Sequence, residues 1–133
     1  MKLFLAYRFS GEDKLILQEF LSRISQTIKE LGHETFIFCR DRQNWGEVKM
    51  DSTEIITEAL KELRQCDAIL AIQNGDEKSE GLLLEVGYAK GLGKKIFLAI
   101  SKDAKRPFLR GISDQVIEFN SIDDLVQKIE LLF

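Results

Sequence analysis

His33 is the only histidine in this 133-residue chain, and Cys39 and Cys66 stand far apart with no CxxC spacing. A metal centre is therefore not suggested, and two isolated thiols fit a reducing cytoplasm as buried, inert side chains. There is a single proline, no internal repeat and no low-complexity stretch. No apolar run approaches the ~20 residues that span a bilayer. The opening MKLFLAYRFSGEDK lacks the long apolar centre and small-residue cleavage site of a secretory signal, so it reads as a strand. Positive charge is not in excess either: 19 basic against 22 acidic residues give 19 − 22 = −3. Without a dense basic block the chain is poorly suited to gripping nucleic-acid backbones, although a local cluster can still hold one small anion. What is present, 44% apolar and 31% charged residues, is the mixture of a soluble globular protein. At this length the expectation is one domain over residues 1–133, cytoplasmic, with no cofactor and no membrane partner.

The apolar pattern alternates between short continuous runs and longer helical stripes. Residues 2–8 (KLFLAYR) form a buried-type strand. Over 11–31, Leu15, Leu17, Phe20, Leu21, Ile24, Ile28 and Leu31 recur mostly at three- and four-residue spacings, which predicts an amphipathic helix. Ser10 with Asp13 matches a capping box at its start, and Gly32 is a natural stop. Further strands are predicted at 34–39, 67–73, 94–100 and 115–119. Helices are predicted over 52–66, 80–92 and 121–132, the last capped by Ser121 with Asp124 three residues on. Strands alternating with helices point to an α/β, doubly wound parallel sheet. Five strands in so short a chain favour the flavodoxin-like order 2-1-3-4-5.

Such sheets bind ligands beyond the carboxyl ends of the strands, where strand order reverses. Here the reversal falls between the first and third strands. The flanking loops are Tyr7-Arg8-Phe9-Ser10-Gly11 and Asn74-Gly75-Asp76-Glu77-Lys78-Ser79, and the segment 40–50 can fold over the same end. Ser10 heads the first helix as a cap or an anion ligand, and Gly11 follows it in the crevice. Asp76 is either a solvated loop acid or a partner for a sugar hydroxyl or base. Asp67, at the amino end of its strand, reads as a turn residue instead. Trp45, between Asn44 and Gly46, either stacks on a nucleobase as part of a lid or anchors a long loop. Lys105 and Arg106, after the fourth strand, are candidate cations.

One residue is out of keeping with its neighbours. Glu85 lies in Leu82-Leu83-Leu84-Glu85-Val86-Gly87-Tyr88-Ala89 with no lysine or arginine three or four positions on. Gly81 shares its helical stripe and clears space one turn toward the crevice. A carboxylate near buried surface is costly unless solvated, paired or used. Tyr7, at the end of the first strand, is placed to reach it.

The segment GLLLEVGYAKGLGKKIFLAI, together with RGISDQVIEFNSIDDL and the opening KLFLAYRFSGED, resembles the nucleoside 2-deoxyribosyltransferase superfamily, including its deoxynucleoside 5′-monophosphate N-glycosidases. The resemblance implies that Glu85 is a nucleophile forming a covalent glycosyl-enzyme. It implies a small-molecule nucleoside or nucleotide substrate and a homodimer or higher assembly, with the loop after the fourth strand serving a neighbouring subunit. Two positions depart from the pattern: Phe4 stands where a tyrosine usually contacts the nucleophile, and Ala59, beside Glu58, where an aspartate usually contacts the base. Six residues before Glu85 the transferases carry an aspartate and the phosphate-using glycosidases a serine. Ser79 aligns the chain with the latter. The opening segment also resembles TIR domains, some of which cleave NAD, and a non-catalytic nucleotide-binding module on the same scaffold is a third reading.

Overall fold

The computed structural model describes residues 1–9 and 13–133. In chain order it contains β1 (Lys2–Phe9), α1 (Lys14–Glu30), β2 (Glu34–Phe36), α2 (Phe38–Asp41), α3 (Ser52–Gln65) and β3 (Ala68–Asn74). These are followed by α4 (Glu80–Gly91), β4 (Lys95–Ser101), α5 (Pro107–Ile112), β5 (Gln115–Phe119) and α6 (Ile122–Lys128), which runs into a 3₁₀ turn at Ile129–Leu131. All pairings are parallel and the strand order is β2-β1-β3-β4-β5, as predicted.

The continuous apolar runs follow from burial of both sheet faces. Side chains alternate across a strand, so Leu3 and Leu5, Leu70 and Ile72, and Phe97 and Ala99 pack beneath α1 and α6. Phe4 and Ala6, Ile69 and Ala71, and Ile96 and Leu98 pack beneath α3, α4 and α5. The central strands β1 and β3 run in register from Leu3–Ala68 to Phe9–Asn74, which brings their carboxyl ends out side by side.

Two local expectations are corrected, and one helix is added. The second strand stops at Phe36 instead of reaching residue 39. The Asp41 carboxylate accepts the Ile37 N–H at 2.9 Å, while Asp41 N–H and Arg42 N–H bond back to the carbonyls of Ile37 and Phe38. Hydrogen bonds that an edge strand would leave open are thus satisfied by one helical turn. The first helix begins at Lys14, not residue 11, because Asp13 is itself the N-cap, accepting Ile16 N–H at 2.8 Å. Ser10 and Gly11 lie outside the described residues. Helix α5 has no counterpart in the sequence reading; it starts at Pro107, whose missing N–H costs nothing at a first helical position.

Candidate active site

The crevice over β1 and β3 is built from a buried amide outward. Gln73 is 1% exposed at the end of an apolar strand, and its Nε2 donates to the carbonyls of Gly75 (2.9 Å) and Glu77 (2.6 Å). That clamp folds the loop between β3 and α4, with Gly75 taking the left-handed conformation (φ 91°) at its bend. Arg8 pairs with Glu77, tying the loop to the end of β1. On the other side Asp76 accepts the Lys105 N–H at 2.9 Å and lies 3.5 Å from the Arg106 guanidinium. The Lys105 N–H foremost, with Arg106 adding, holds the Asp76 carboxyl below its usual range. Arg106 itself sits in the left-handed region (φ 32°), and its Nε makes no hydrogen bond among the described residues.

The loop then delivers α4. Ser79 is its N-cap, accepting Leu82 N–H at 3.2 Å, so the capping reading holds, with the hydroxyl proton left to donate elsewhere. Leu82, Val86 and Ala89 anchor the helix to the sheet, while Leu83 and Leu84 are exposed on its outer side. Gly81 is exposed, and a Cβ built there would meet nothing within 4 Å, consistent with the open space expected beside the glutamate.

Glu85, one turn below, is half-buried and has no ion pair or hydrogen bond among the described residues. The missing local cation in the sequence is thus not replaced by a distant one. Burial alone pushes its pKa up from 4.5 to about 8. Its charge bears on the Tyr7 hydroxyl at the end of β1. Tyr7 is raised well above the ordinary phenol range, first by burial, then by Cys39 and Glu85. Because that phenol is neutral wherever Glu85 titrates, it places no opposing charge on the carboxylate.

Cys39 is the member of this group that sequence reasoning passed over as inert. Its thiol and main chain face the Tyr7 hydroxyl, a placement that depends on α2 replacing the end of the predicted strand. Gln73 was also passed over, and its signal was legible: a polar residue closing an otherwise apolar strand. Trp45 is half-buried on the α1 side of the crevice, with its main-chain N–H donated to the Cys39 carbonyl at 2.7 Å. Ala59 is 1% exposed and serves as core packing, and Asp67 accepts the Lys2 N–H at 2.7 Å at the opposite end of the sheet. Among the described residues no group of histidine, cysteine or carboxylate side chains is arranged to hold a metal ion, and no helix is long and apolar enough to cross a membrane.

An isolated carboxylate at the switch point of a doubly wound sheet defines a class of small α/β protein with its site at the carboxyl edge. The chain belongs to the nucleoside 2-deoxyribosyltransferase family, whose model matches residues 6–124. The family acts on nucleosides by glycosyl transfer or cleavage. Among solved structures it is similar to the CMP N-glycosidase of Clostridium botulinum, at 23% identity over 100% of both chains with a TM-score of 0.68. It is also similar to the 2-deoxyribosyltransferase of Bacillus psychrosaccharolyticus, at 23% identity over 95% of this chain and 90% of that one, with a TM-score of 0.71. A conserved protein of Enterococcus faecalis shares 16% identity over 100% of this chain and 99% of that one, at a TM-score of 0.71. No curated protein matches the chain by sequence.

Proposed function

We propose that this protein cleaves or transfers the N-glycosidic bond of a (deoxy)nucleoside 5′-monophosphate or nucleoside through a glycosyl-Glu85 intermediate. The observation that carries the reading is the carboxylate itself: half-buried at the crevice, unpaired among the described residues, and close enough to Tyr7 for its charge to be felt there. An ionised oxygen of Glu85 attacks the anomeric carbon while the C–N bond breaks and its electron pair leaves with the base. Water or a second base then displaces the ester. Tyr7, a neutral phenol near the carboxylate and engaged with Cys39, leaves the nucleophile charged and unencumbered. With its pKa raised to about 8, Glu85 is mostly protonated at pH 7, but the ionised fraction is uncompensated and reactive.

The 5′-phosphate is assigned to the start of α4, where Ser79 presents a hydroxyl among helix N–H groups and Lys78 stands alongside. Asp76 does not oppose it strongly, because its charge is already engaged by Lys105 N–H and Arg106. The base is directed toward Trp45. Two copies of the chain are assigned to pair through α4, which is apolar on nearly every side and leaves Leu83 at 41% and Leu84 at 51% exposure. The two free cysteines accord with a cytoplasmic setting.

Incubation with a deoxynucleoside, its 5′-monophosphate and NAD, with chromatographic detection of released base, tests the reading directly. Release from the first two and not from NAD is expected, with a 2-fluoro sugar analogue trapped on Glu85 by mass spectrometry. Release from NAD alone would favour the TIR-like alternative, and release from none would leave a binding module.

A further inference from the structure

On the α1 side of the crevice, around Trp45, lies a cavity of about 310 Å³ whose remaining lining has been given no role. Cys39 lines it and also faces the Tyr7 hydroxyl, on which the Glu85 charge bears, so these two side chains link the cavity to the Glu85 site. Trp45 and Met50 supply flat and apolar lining, and Gln18 and Gln43 supply amides. Its remaining polar lining is two ammonium groups, Lys14 and Lys49, neither of which has an ion-pair or hydrogen-bond partner among the described residues. The wall is also strained. Asn44, Trp45 and Gly46 are all left-handed, with φ of 45°, 57° and 97°, and a bulky aromatic rarely adopts that conformation. Local hydrogen bonds impose it: Trp45 N–H to Cys39 O, and Gly46 and Val48 N–H to Gln43 O. Strain held in this way is characteristic of ligand clamps.

We infer that this cavity takes the departing base and that Lys14 and Lys49 make it select bases presenting carbonyl oxygens over bases presenting amino groups. The inference rests on the N-glycosidic reading of Glu85. Ammonium groups only donate hydrogen bonds, so they pair with a carbonyl edge and are repelled by an amino edge. The indole and Met50 suit a planar ring more than a tetrahedral phosphate. During cleavage the C–N electron pair passes to the base and delocalises onto its carbonyl oxygens, where the ammoniums bind it more tightly than in the substrate. The anomeric carbon gains the Glu85 oxygen, and the base anion takes up a proton from water at the open mouth.

Trp45 is the only tryptophan in the chain, so its fluorescence reports this cavity alone. Quenching titrations with two matched pairs, hypoxanthine against adenine and uracil against cytosine, change one carbonyl for one amino group, and the adjoining ring N–H for a bare ring nitrogen, in each. The wild type should bind the oxo member roughly tenfold or more tightly, the scale of one hydrogen bond to a charged group. Lys14→Met/Lys49→Met should remove that discrimination, and Lys14→Arg/Lys49→Arg should keep it. Both lysines are exposed, so these variants leave the core untouched. Absence of quenching by any base, equal affinities within the pairs, or discrimination that survives the double Met variant would each overturn the inference. So would displacement of every base by inorganic phosphate with quenching by nucleoside monophosphates regardless of base, which would make the cavity a phosphate site. The titration reads binding and not turnover, so an inactive wild type that still discriminates would overturn the Glu85 reading alone.

Discussion

The two ends of the sheet treat carboxylates in opposite ways. At the amino end Asp67 accepts Lys2 N–H, Asp114 accepts Ile96 N–H at 2.8 Å, and Glu62, only 7% exposed, bridges Lys2 and Arg42 at 2.9 Å each. At the carboxyl end Glu85 is also withdrawn from water and holds no partner among the described residues. Burial alone therefore does not mark a functional acid in this fold, since Glu62 is the more buried of the two. What separates them is compensation. A paired carboxylate stabilises the fold, whereas an uncompensated one raises its free energy and stays available for chemistry.

The largest expected effect breaks the comparison at Glu85. Glu85→Gln should lower turnover on the order of 10³-fold or more, as loss of a nucleophile does, without harming the fold. Its stability effect has a definite sign. The folded-state pKa of about 8 lies above the ordinary 4.5, so the proton favours the folded form. That stabilisation is complete below pH 4.5 and is lost as pH rises through about 8. Above pH 8 the Gln variant should therefore be more stable than the wild type by ~2–4 kcal/mol, allowing for the partial exposure of the site. Urea unfolding at pH 5 and pH 9 checks this: the gap should open only at the higher pH.

The same titration should appear in catalysis. If the ionised form attacks, kcat/KM should climb nearly tenfold per pH unit below about 8 and level off above it. A flat profile from pH 5 to 9 would mean that Glu85 does not act as a free carboxylate. A smaller effect is expected at the rim. Ser79→Asp places a negative charge at the start of α4 and should shift the preference from a 5′-monophosphate toward the nucleoside by about tenfold, read from paired initial rates. Equal rates for both substrates in the wild type would leave Ser79 as a helix cap and no more.

Glu62→Gln sharpens the comparison from the other end and carries the smallest effect. Both cationic partners are partly exposed, so loss of the bridge should cost about 1–3 kcal/mol in denaturant unfolding. Turnover per folded molecule should change little. Opposite signs for Glu62→Gln and Glu85→Gln at pH 9 would establish that the two ends differ as described.

Most of the frame was legible because it rests on periodicity. The run DAILAIQ and the stripe from Leu15 to Leu31 each satisfy only one secondary structure, and their alternation leaves few ways to wind a sheet. Glu85 was legible for the same reason, as a charge breaking an apolar helix. The misreadings fall where short-range signals compete. Ser10 and Asp13 both suit a cap, and the hydrogen bond that decides for Asp13 belongs to the folded backbone. ETFIFC has strand composition throughout, yet Asp41 captures the Ile37 N–H and turns the chain after Phe36.

Sequence by itself determined the parallel α/β layering, the strand order and the isolation of Glu85 within its own helix, because these depend on the spacing of apolar and charged residues along the chain. Tertiary structure decided that no distant arginine reaches Glu85 among the described residues, that Tyr7 and Cys39 meet beside it, and that Lys14 and Lys49 line one cavity with Trp45. Those facts depend on through-space distance and on exclusion of water between segments remote in sequence. Linear spacing carries no information about either until the sheet brings the strand ends together.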